Sequence, residues 1–469
     1  MSVAEQLYPK EACGVAAVFN VPDAAKILYA ALFSLQHRGQ ESAGIVTFDN
    51  GRLFTHKSMG LVNEVFKPGF ENALPGSCGI GHVRYSTTGE SSPQNIQPLT
   101  ALCTDGSWAI GHNGNLVNDV TLRQEYQQRG AIFQTSTDSE ILLHQLADPR
   151  YMTLPDRLPA LLSKLKGSFA FVLLNNGKIY AARDPWGIRP LSVARLGEGY
   201  IVASESCVFN QIGAEFIREI RPGELIRIDH TGITSSWFAE SFGVPTGQCV
   251  FEHIYFARPD SFLFGQSVYE TRISIGRRLF QESPVGADCV VPIPDSGVLS
   301  ALGFSQAAGI PLQFGFVRNH YVGRTFILPS VSARKERADL KLAVAPEIIR
   351  GKRVVVVDDS IIRGNTCRRR IEMLRKAGAV EIHLRIACPP TCHPCSLGID
   401  FPSRVELAAY NHTVDEIRQS VGADTLAYLS LEGLESVVAN PRQFCMGCFT
   451  GRYPVETSEE RTKSILEKR

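Results

Sequence analysis

The chain of 469 residues has no apolar run approaching the roughly 20 residues that cross a bilayer. It also has no excess of either charge: 48 Lys and Arg against 47 Asp and Glu leave a formal net charge of +1. The first absence argues against a helical membrane protein. The second argues against bulk nucleic acid as a partner, because binding through phosphates usually shows as a basic excess. The opening MSVAEQLYPKEACGV lacks the basic start and apolar stretch of a signal peptide, so the expected setting is the cytoplasm. Internal repeats and low-complexity segments are absent. Cysteine is plentiful: with twelve in a reducing compartment, free thiols, a metal site or a nucleophile are expected rather than disulfides. Hydrophobic residues make up 44% and charged residues 20%, an ordinary globular balance, and the length implies two to three domains.

The two halves differ in rhythm. In the first, SFAFVLLNNGKIYAARD holds two apolar strands around Asn176-Gly177, a hairpin signal. YIVASES and GELIRID are further short strands, and helices are expected over Ala25 to Gln36 and in SEILLHQLAD. Hairpins with helices outside imply a layered α+β domain. In the second half ADCVVPIP, IPLQFGFV, KRVVVVDD and VEIHLRIACP alternate with helical stretches such as RRRIEMLRKAG, the spacing of βαβ units in a parallel sheet. A Pro/Gly turn region from Phe242 to Gly247 places the boundary near residue 245.

Chemistry concentrates first in VVVVDDSIIRGNT, residues 354–366. Val354 to Val357 suit a strand buried on both faces, and Asp358 and Asp359 stand at its carboxyl end, where open α/β sheets bind ligands. Adjacent carboxylates raise each other's pKa, so a cation or a set of hydroxyls is needed there. Gly364, Ser360, Thr366, the backbone N–H groups and the start of a helix expected near Arg368 can hold a phosphate. The stretch resembles the signature of type I phosphoribosyltransferases, which bind 5-phosphoribosyl-1-pyrophosphate (PRPP). The resemblance implies that Asp358 and Asp359 contact the ribose, that Ser360, Ile361, Ile362, Arg363, Gly364, Asn365 and Thr366 surround the 5′-phosphate, and that Asp295, Ser296 and Gly297 of the Pro294-Asp295-Ser296-Gly297 segment form the pyrophosphate loop. It further implies Mg²⁺ at Ser296, Asp358 and Asp359, and makes the basic stretch 318–342 a loop that closes over PRPP.

The second concentration is EACGVAAVF, with Cys13 at the mouth of a short strand. A lone cysteine is more often a core residue than a nucleophile. SLQHRGQESAG (34–44), GHVRYSTTG (81–89), GHNGNLVN (111–118) and TSTDSE (135–140) change that reading. Together they resemble the N-terminal-nucleophile glutamine amidotransferases. The resemblance implies Cys13 as nucleophile, Asn113 and the Gly114 N–H as oxyanion hole, Arg84 for the glutamine α-carboxylate and Asp138 for its α-amine. It also implies that residues 1–12 are a propeptide, removed so that the Cys13 amine becomes the general base.

CMGC (445–448) and CPPTCHPC (388–395) remain. The second alone has the C-x3-C-x2-C spacing of radical enzymes, but no barrel to go with it is evident, and four thiolates as such suit zinc or an iron–sulfur cluster equally. An amidotransferase followed by a PRPP domain resembles the glutamine phosphoribosylpyrophosphate amidotransferase family, in the iron–sulfur subclass with a propeptide. That resemblance covers nearly the whole chain. It implies an N-terminal-nucleophile αββα sandwich (13–245), a phosphoribosyltransferase parallel-sheet domain (246–435) and a tail (436–469). It assigns Cys249, Cys395, Cys445 and Cys448 to a [4Fe–4S] cluster and leaves Cys388 and Cys392 as bystanders. The implied reaction turns glutamine and PRPP into 5-phosphoribosylamine, glutamate and pyrophosphate, with purine nucleotides as inhibitors and a homotetramer as assembly. Against the family pattern stand Ala16-Ala17 after the nucleophile, Arg318, His320 and Asp339 in the basic loop, and Asn365 where threonine is commoner. The competing reading is a PRPP-sensing regulator of the same fold with weak catalysis.

Overall fold

The structure is a computed structural model that describes residues 13–85, 91–152, 157–239, 246–319, 342–399 and 403–456. The expected propeptide, His320, Asp339 and most of their loop, the turn at Phe242 to Pro245 and the last thirteen residues lie outside these. Among the described residues no helix is long and apolar enough to cross a membrane.

The first half contains thirteen described strands: β1 Gly14–Phe19, β2 Ser42–Asp49, β3 Arg52–Met59, β4 Cys78–Arg84, β5 Leu99–Cys103, β6 Gly106–Leu116, β7 Gly167–Asn175, β8 Lys178–Arg183, β9 Ser192–Leu196, β10 Gly199–Ala203, β11 Glu215–Glu219, β12 Glu224–Asp229 and β13 Gly232–Trp237. They form two antiparallel sheets, ordered β11-β9-β10-β1-β4-β2-β3 and β13-β12-β8-β7-β6-β5. The side-chain period of two explains why central strands are apolar throughout. On β1, Val15, Ala17 and Phe19 pack into the layer between the sheets, with Val46, Ala170 and Val172. Ala16 and Val18 point the other way, onto Leu28 and Leu32 of the helix Ala24–Ser34. Phe169, Phe171 and Leu173 of β7 likewise pack outward with Leu142 and Leu161 from the helices Glu140–Leu146 and Arg157–Leu162. Helix, sheet, sheet, helix is therefore the layer order, as the resemblance implied. The alanines at 16 and 17 are buried one on each face.

In the second half a parallel sheet runs in the order Cys289–Pro292, Arg353–Asp358, Glu381–Ile386, Thr425–Tyr428. Val354 to Val357 are fully buried, which contributes about 1.5 kcal/mol or more apiece relative to exposure. Two sequence expectations shift. The helix after the acidic pair begins at Asn365 rather than near Arg368, because Gly364 takes a positive φ of 82° at its N-cap and ends the loop early. IPLQFGFV is not a full parallel strand. Pro311 accepts from the Val290 N–H but has no N–H to return, so only a bridge at Leu312 forms. Phe316–Arg318 then pairs antiparallel with Leu342–Val344 in a separate ribbon.

Candidate functional site

The start of β1 sits beside β4, with Gly14 opposite Val83. Cys13 is buried there, and its thiol donates to the Tyr85 carbonyl at 3.3 Å. Burial pushes that thiol up to about 12, the Glu41 and Asp138 carboxylates add to the effect, and Arg84 opposes it. A buried thiol of this kind needs a base before it attacks anything. Arg84, at the end of β4, is buried with its guanidinium 3.8 Å from the Glu41 carboxylate. Asp138 accepts from the Leu116 N–H at 2.7 Å and from the Ser139 hydroxyl at 3.2 Å. Burial raises its pKa, but His112 and these hydrogen bonds win and hold it below the usual carboxylate value. Asn113, on β6, has both side-chain amide atoms buried without a hydrogen-bond partner. Such orphans are costly, and here they flank Gly114, where a Cβ would stand 2.2 Å from the Ser168 carbonyl oxygen. The structure thus places Cys13, Arg84, Asn113 and Gly114 on or beside β1, β4 and β6, with Asp138 hydrogen-bonded to the end of β6.

At the carboxyl end of the strand Arg353–Asp358, both acids are buried. The Asp359 carboxylate accepts from the hydroxyls of Ser296 and Ser360, each at 2.5 Å. Asp358 is bound by Arg370 at 2.6 Å, a partner one helical face into Asn365–Lys376. Burial pushes the Asp358 carboxyl up to about 7, Asp359 adds to that, and Arg370 resists it. Asp295 follows a cis peptide from Pro294 and pairs with Arg318. Ser296 and Asp359 therefore place hard oxygen donors together beside Asp358, one of whose oxygens is held by Arg370. Arg363 pairs with Glu406 at 3.1 Å.

The four cysteines assigned to a cluster come from three parts of the chain. Cys249 pairs with Cys445 in a two-residue parallel bridge, Gln248–Cys249 against Phe444–Cys445. Burial raises all four thiols, and the charges of Cys249, Cys395 and Cys445 raise Cys448 further. Among the described residues no three His, Cys, Asp or Glu side chains converge as a single ion requires. Cys392, by contrast, donates to the Pro390 and Ala409 carbonyls.

A charged network with no counterpart in the sequence reading joins the halves. Arg38, fully buried, donates to Glu205 at 2.6 Å, to Glu252 at 2.7 and 2.9 Å, and through Nε to the Cys13 carbonyl at 3.2 Å. Arg189 reaches the same Glu252 at 3.1 Å. Removing one partner strands buried charge, so Arg38→Met is expected to cost about 3–5 kcal/mol in chemical denaturation; a loss below about 1 kcal/mol would show that water relieves the carboxylates.

Comparison with known proteins agrees with both halves. Residues 82–211 match a family model described as glutamine amidotransferase domain, and 274–392 one described as phosphoribosyl transferase domain. The chain is similar to the amidophosphoribosyltransferase of Bacillus subtilis, 46% identical over 457 residues that cover 96% of this chain and 95% of that one. That of Methanothermobacter thermautotrophicus is 44% identical, with 95% of each covered. The chain belongs to the amidophosphoribosyltransferase family. It is an enzyme that transfers the amide nitrogen of glutamine to PRPP, giving 5-phosphoribosylamine, glutamate and pyrophosphate, the first committed step of purine synthesis. The fold agrees at full length. A solved structure of the B. subtilis glutamine PRPP amidotransferase, complexed with ADP and GMP, superposes with a TM-score of 0.90 at 44% identity, covering 96% of this chain and 99% of that one. A second, titled as the allosteric regulatory enzyme of purine biosynthesis, gives 0.90 at 45% identity, covering 96% and 97%. Within this family Arg38, Arg189, Glu205, Glu252 and Arg370 were not singled out by sequence. Arg38, Glu205 and Arg370 lie in SLQHRGQESAG, YIVASES and RRRIEMLRKAG, but nothing in those segments marks them for a buried ion pair.

Proposed function

We propose the following roles for the residues of the two sites. Cys13 Sγ attacks the glutamine carboxamide carbon; a C–S bond forms and the carbonyl oxygen takes the charge. Asn113 Nδ2 and the Gly114 N–H hold that oxygen, and the orphaned Asn113 amide is the observation that carries the assignment. The nitrogen leaves as ammonia, protonated by the base that took the thiol proton, and water then releases glutamate from the thioester. Arg84 binds the glutamine α-carboxylate and Asp138 its α-amine. The high thiol pKa supports an adjacent base, and the Cys13 α-amine fits once residues 1–12 are gone. Active protein should accordingly have the intact mass of a chain starting at Cys13; full glutamine-dependent turnover from protein that keeps Met1 to Ala12 would overturn this base.

Ammonia passes internally to the second site and displaces pyrophosphate at the ribose carbon. Asp358 and Asp359 receive the ribose hydroxyls, Ser360 to Thr366 the 5′-phosphate, and Asp295, Ser296 and Gly297 the pyrophosphate. Ser296, Asp358 and Asp359 would hold Mg²⁺, which neutralises the diphosphate when bound. Purine nucleotides are the proposed inhibitors, since the B. subtilis structure carries ADP and GMP. A homotetramer and a cytoplasmic setting complete the reading, with domains 13–245 and 246–435 and a tail from 436.

Cys249, Cys395, Cys445 and Cys448 would hold a [4Fe–4S] cluster, whose role is to tie three chain segments together. The support is that three chain segments meet here, with Cys249 and Cys445 paired across a short parallel bridge; four thiolates suit zinc as well as an iron–sulfur cluster. Anaerobic protein should contain iron and acid-labile sulfide in equal amounts; zinc without sulfide would refute the cluster.

A further inference from the structure

The loop carrying Cys395 leans on the strand that forms the oxyanion hole. Asn115, one residue past Gly114, donates from Nδ2 to the Ser396 carbonyl at 2.8 Å. Ser168, its antiparallel neighbour, donates to the Leu397 carbonyl at 2.8 Å and accepts from the Asn115 N–H at 3.2 Å. Arg189 adds a second donor to the Leu397 carbonyl, at 3.0 Å. Gly398 has a φ of 95°, and a Cβ there would lie 2.9 Å from the Arg189 guanidinium and 3.4 Å from the Gly114 carbonyl carbon. The Leu397 N–H in turn donates to Cys395 Sγ at 3.3 Å. Every one of these first-half groups is buried.

Resting on the role of Cys13, Asn113 and Gly114 given above, we infer that Asn115 is a positioning residue: with Ser168 it clamps the 395–398 loop behind Gly114, so the glutaminase site is competent only while the four-thiol loop is in place. The physical reason is the geometry an oxyanion donor needs. Gly114 must aim its N–H at a point fixed to a few tenths of an ångström. Its strand is the last paired turn of β6, and the sheet supports it from one side only, through β7. Away from β7, Asp138 holds the Leu116 N–H at 2.7 Å, and the loop backs Gly114 itself. The coupling has to be reciprocal: whatever locks the oxyanion hole also holds the loop.

The experiment uses the anaerobically purified full-length enzyme and Asn115→Ala, with Ser168→Ala as second variant. Iron content, ammonia-dependent turnover, and glutamine kcat and KM are measured on each. The expected result is normal iron, normal ammonia-dependent turnover, glutamine KM within about twofold, and glutamine kcat lowered about 10–100-fold, somewhat less than deletion of an oxyanion donor itself. The second readout is release of iron in air, with and without a diazoketone glutamine analogue bound covalently to Cys13. Occupancy should slow release several-fold in the parent and leave Asn115→Ala unaffected. An unchanged kcat in iron-replete Asn115→Ala overturns the inference. So does failure of both variants to hold iron, since the contact would then serve only the loop's own fold. If the parent enzyme itself uses ammonia but not glutamine, the assignment of Cys13 fails instead.

Discussion

Cys13→Ala is expected to lower glutamine-dependent release of pyrophosphate by about 10⁴-fold or more while leaving ammonia-dependent release within about twofold. The asymmetry follows from the architecture. Cys13 lies at the mouth of β1 in the first sandwich, whereas the acids proposed to receive PRPP end a strand of a separate parallel sheet. Removing a sulfur atom from a buried position costs some packing, but it leaves Arg38 donating to a backbone carbonyl, which alanine still supplies. The ion network between the halves therefore stays intact, and the second site should not notice. Parallel assays with glutamine and with ammonium salts decide it. If ammonia-dependent turnover fell together with glutamine-dependent turnover, Cys13 would be structural.

The second large effect is expected at Asp358. Asp358→Asn should reduce PRPP turnover by about 10³-fold, because the amide cannot supply the second ionised carboxylate proposed to receive the ribose and Mg²⁺, while it still offers Arg370 an oxygen to bond. The parent has a pH signature that the variant lacks. The folded-state pKa of Asp358 is raised to about 7 from an ordinary 3.8, chiefly by burial. A raised carboxyl binds its proton more tightly in the folded than in the unfolded chain. Its contribution to stability is therefore fully present below about pH 4 and is lost as pH rises towards 7. Mg²⁺ and PRPP, which favour the ionised pair, act in the opposite sense: their apparent affinity should weaken about tenfold per pH unit below 7. Thermal unfolding at pH 5.5, 7.0 and 8.5, with and without both ligands, should show a ligand-induced rise in Tm that grows with pH in the parent. A rise independent of pH would mean that Arg370 already keeps Asp358 ionised.

What the sequence disclosed was local. Four valines ahead of two aspartates announce a buried parallel strand with an acidic carboxyl end, since both features sit within six residues. The hairpin at Asn176-Gly177 was legible for the same reason: β7 and β8 meet directly there. The strand IPLQFGFV misled because hydrophobicity was counted and the missing N–H of Pro311 was not. The partnerships across the halves were illegible in kind. Arg38 finds Glu252, Arg189 finds Leu397 and Asn115 finds Ser396 only after two domains have folded and docked. Nothing in the spacing of those residues hints at it. The choice among eight cysteines of the second half shows the same limit. Cys388, Cys392 and Cys395 lie within eight residues, and likeness to a family, not spacing, selected Cys395. In the fold Cys392 turns to the Pro390 and Ala409 carbonyls, whereas the Cys395 Sγ accepts from the Leu397 N–H.

The short parallel bridge between Cys249 and Cys445 sets a timetable for the making of the protein. The two residues are about 200 positions apart, and at 5–20 residues per second a ribosome needs on the order of 10–40 s to pass from one to the other. Throughout that interval the first sandwich can fold, yet Cys249 lacks the partner strand Phe444–Cys445. Oxidants, stray metal ions and other thiols all have access to it then and lose that access once Phe444 and Cys445 arrive. The most vulnerable moment for this chain comes during synthesis, before the last tenth of the polypeptide has left the ribosome.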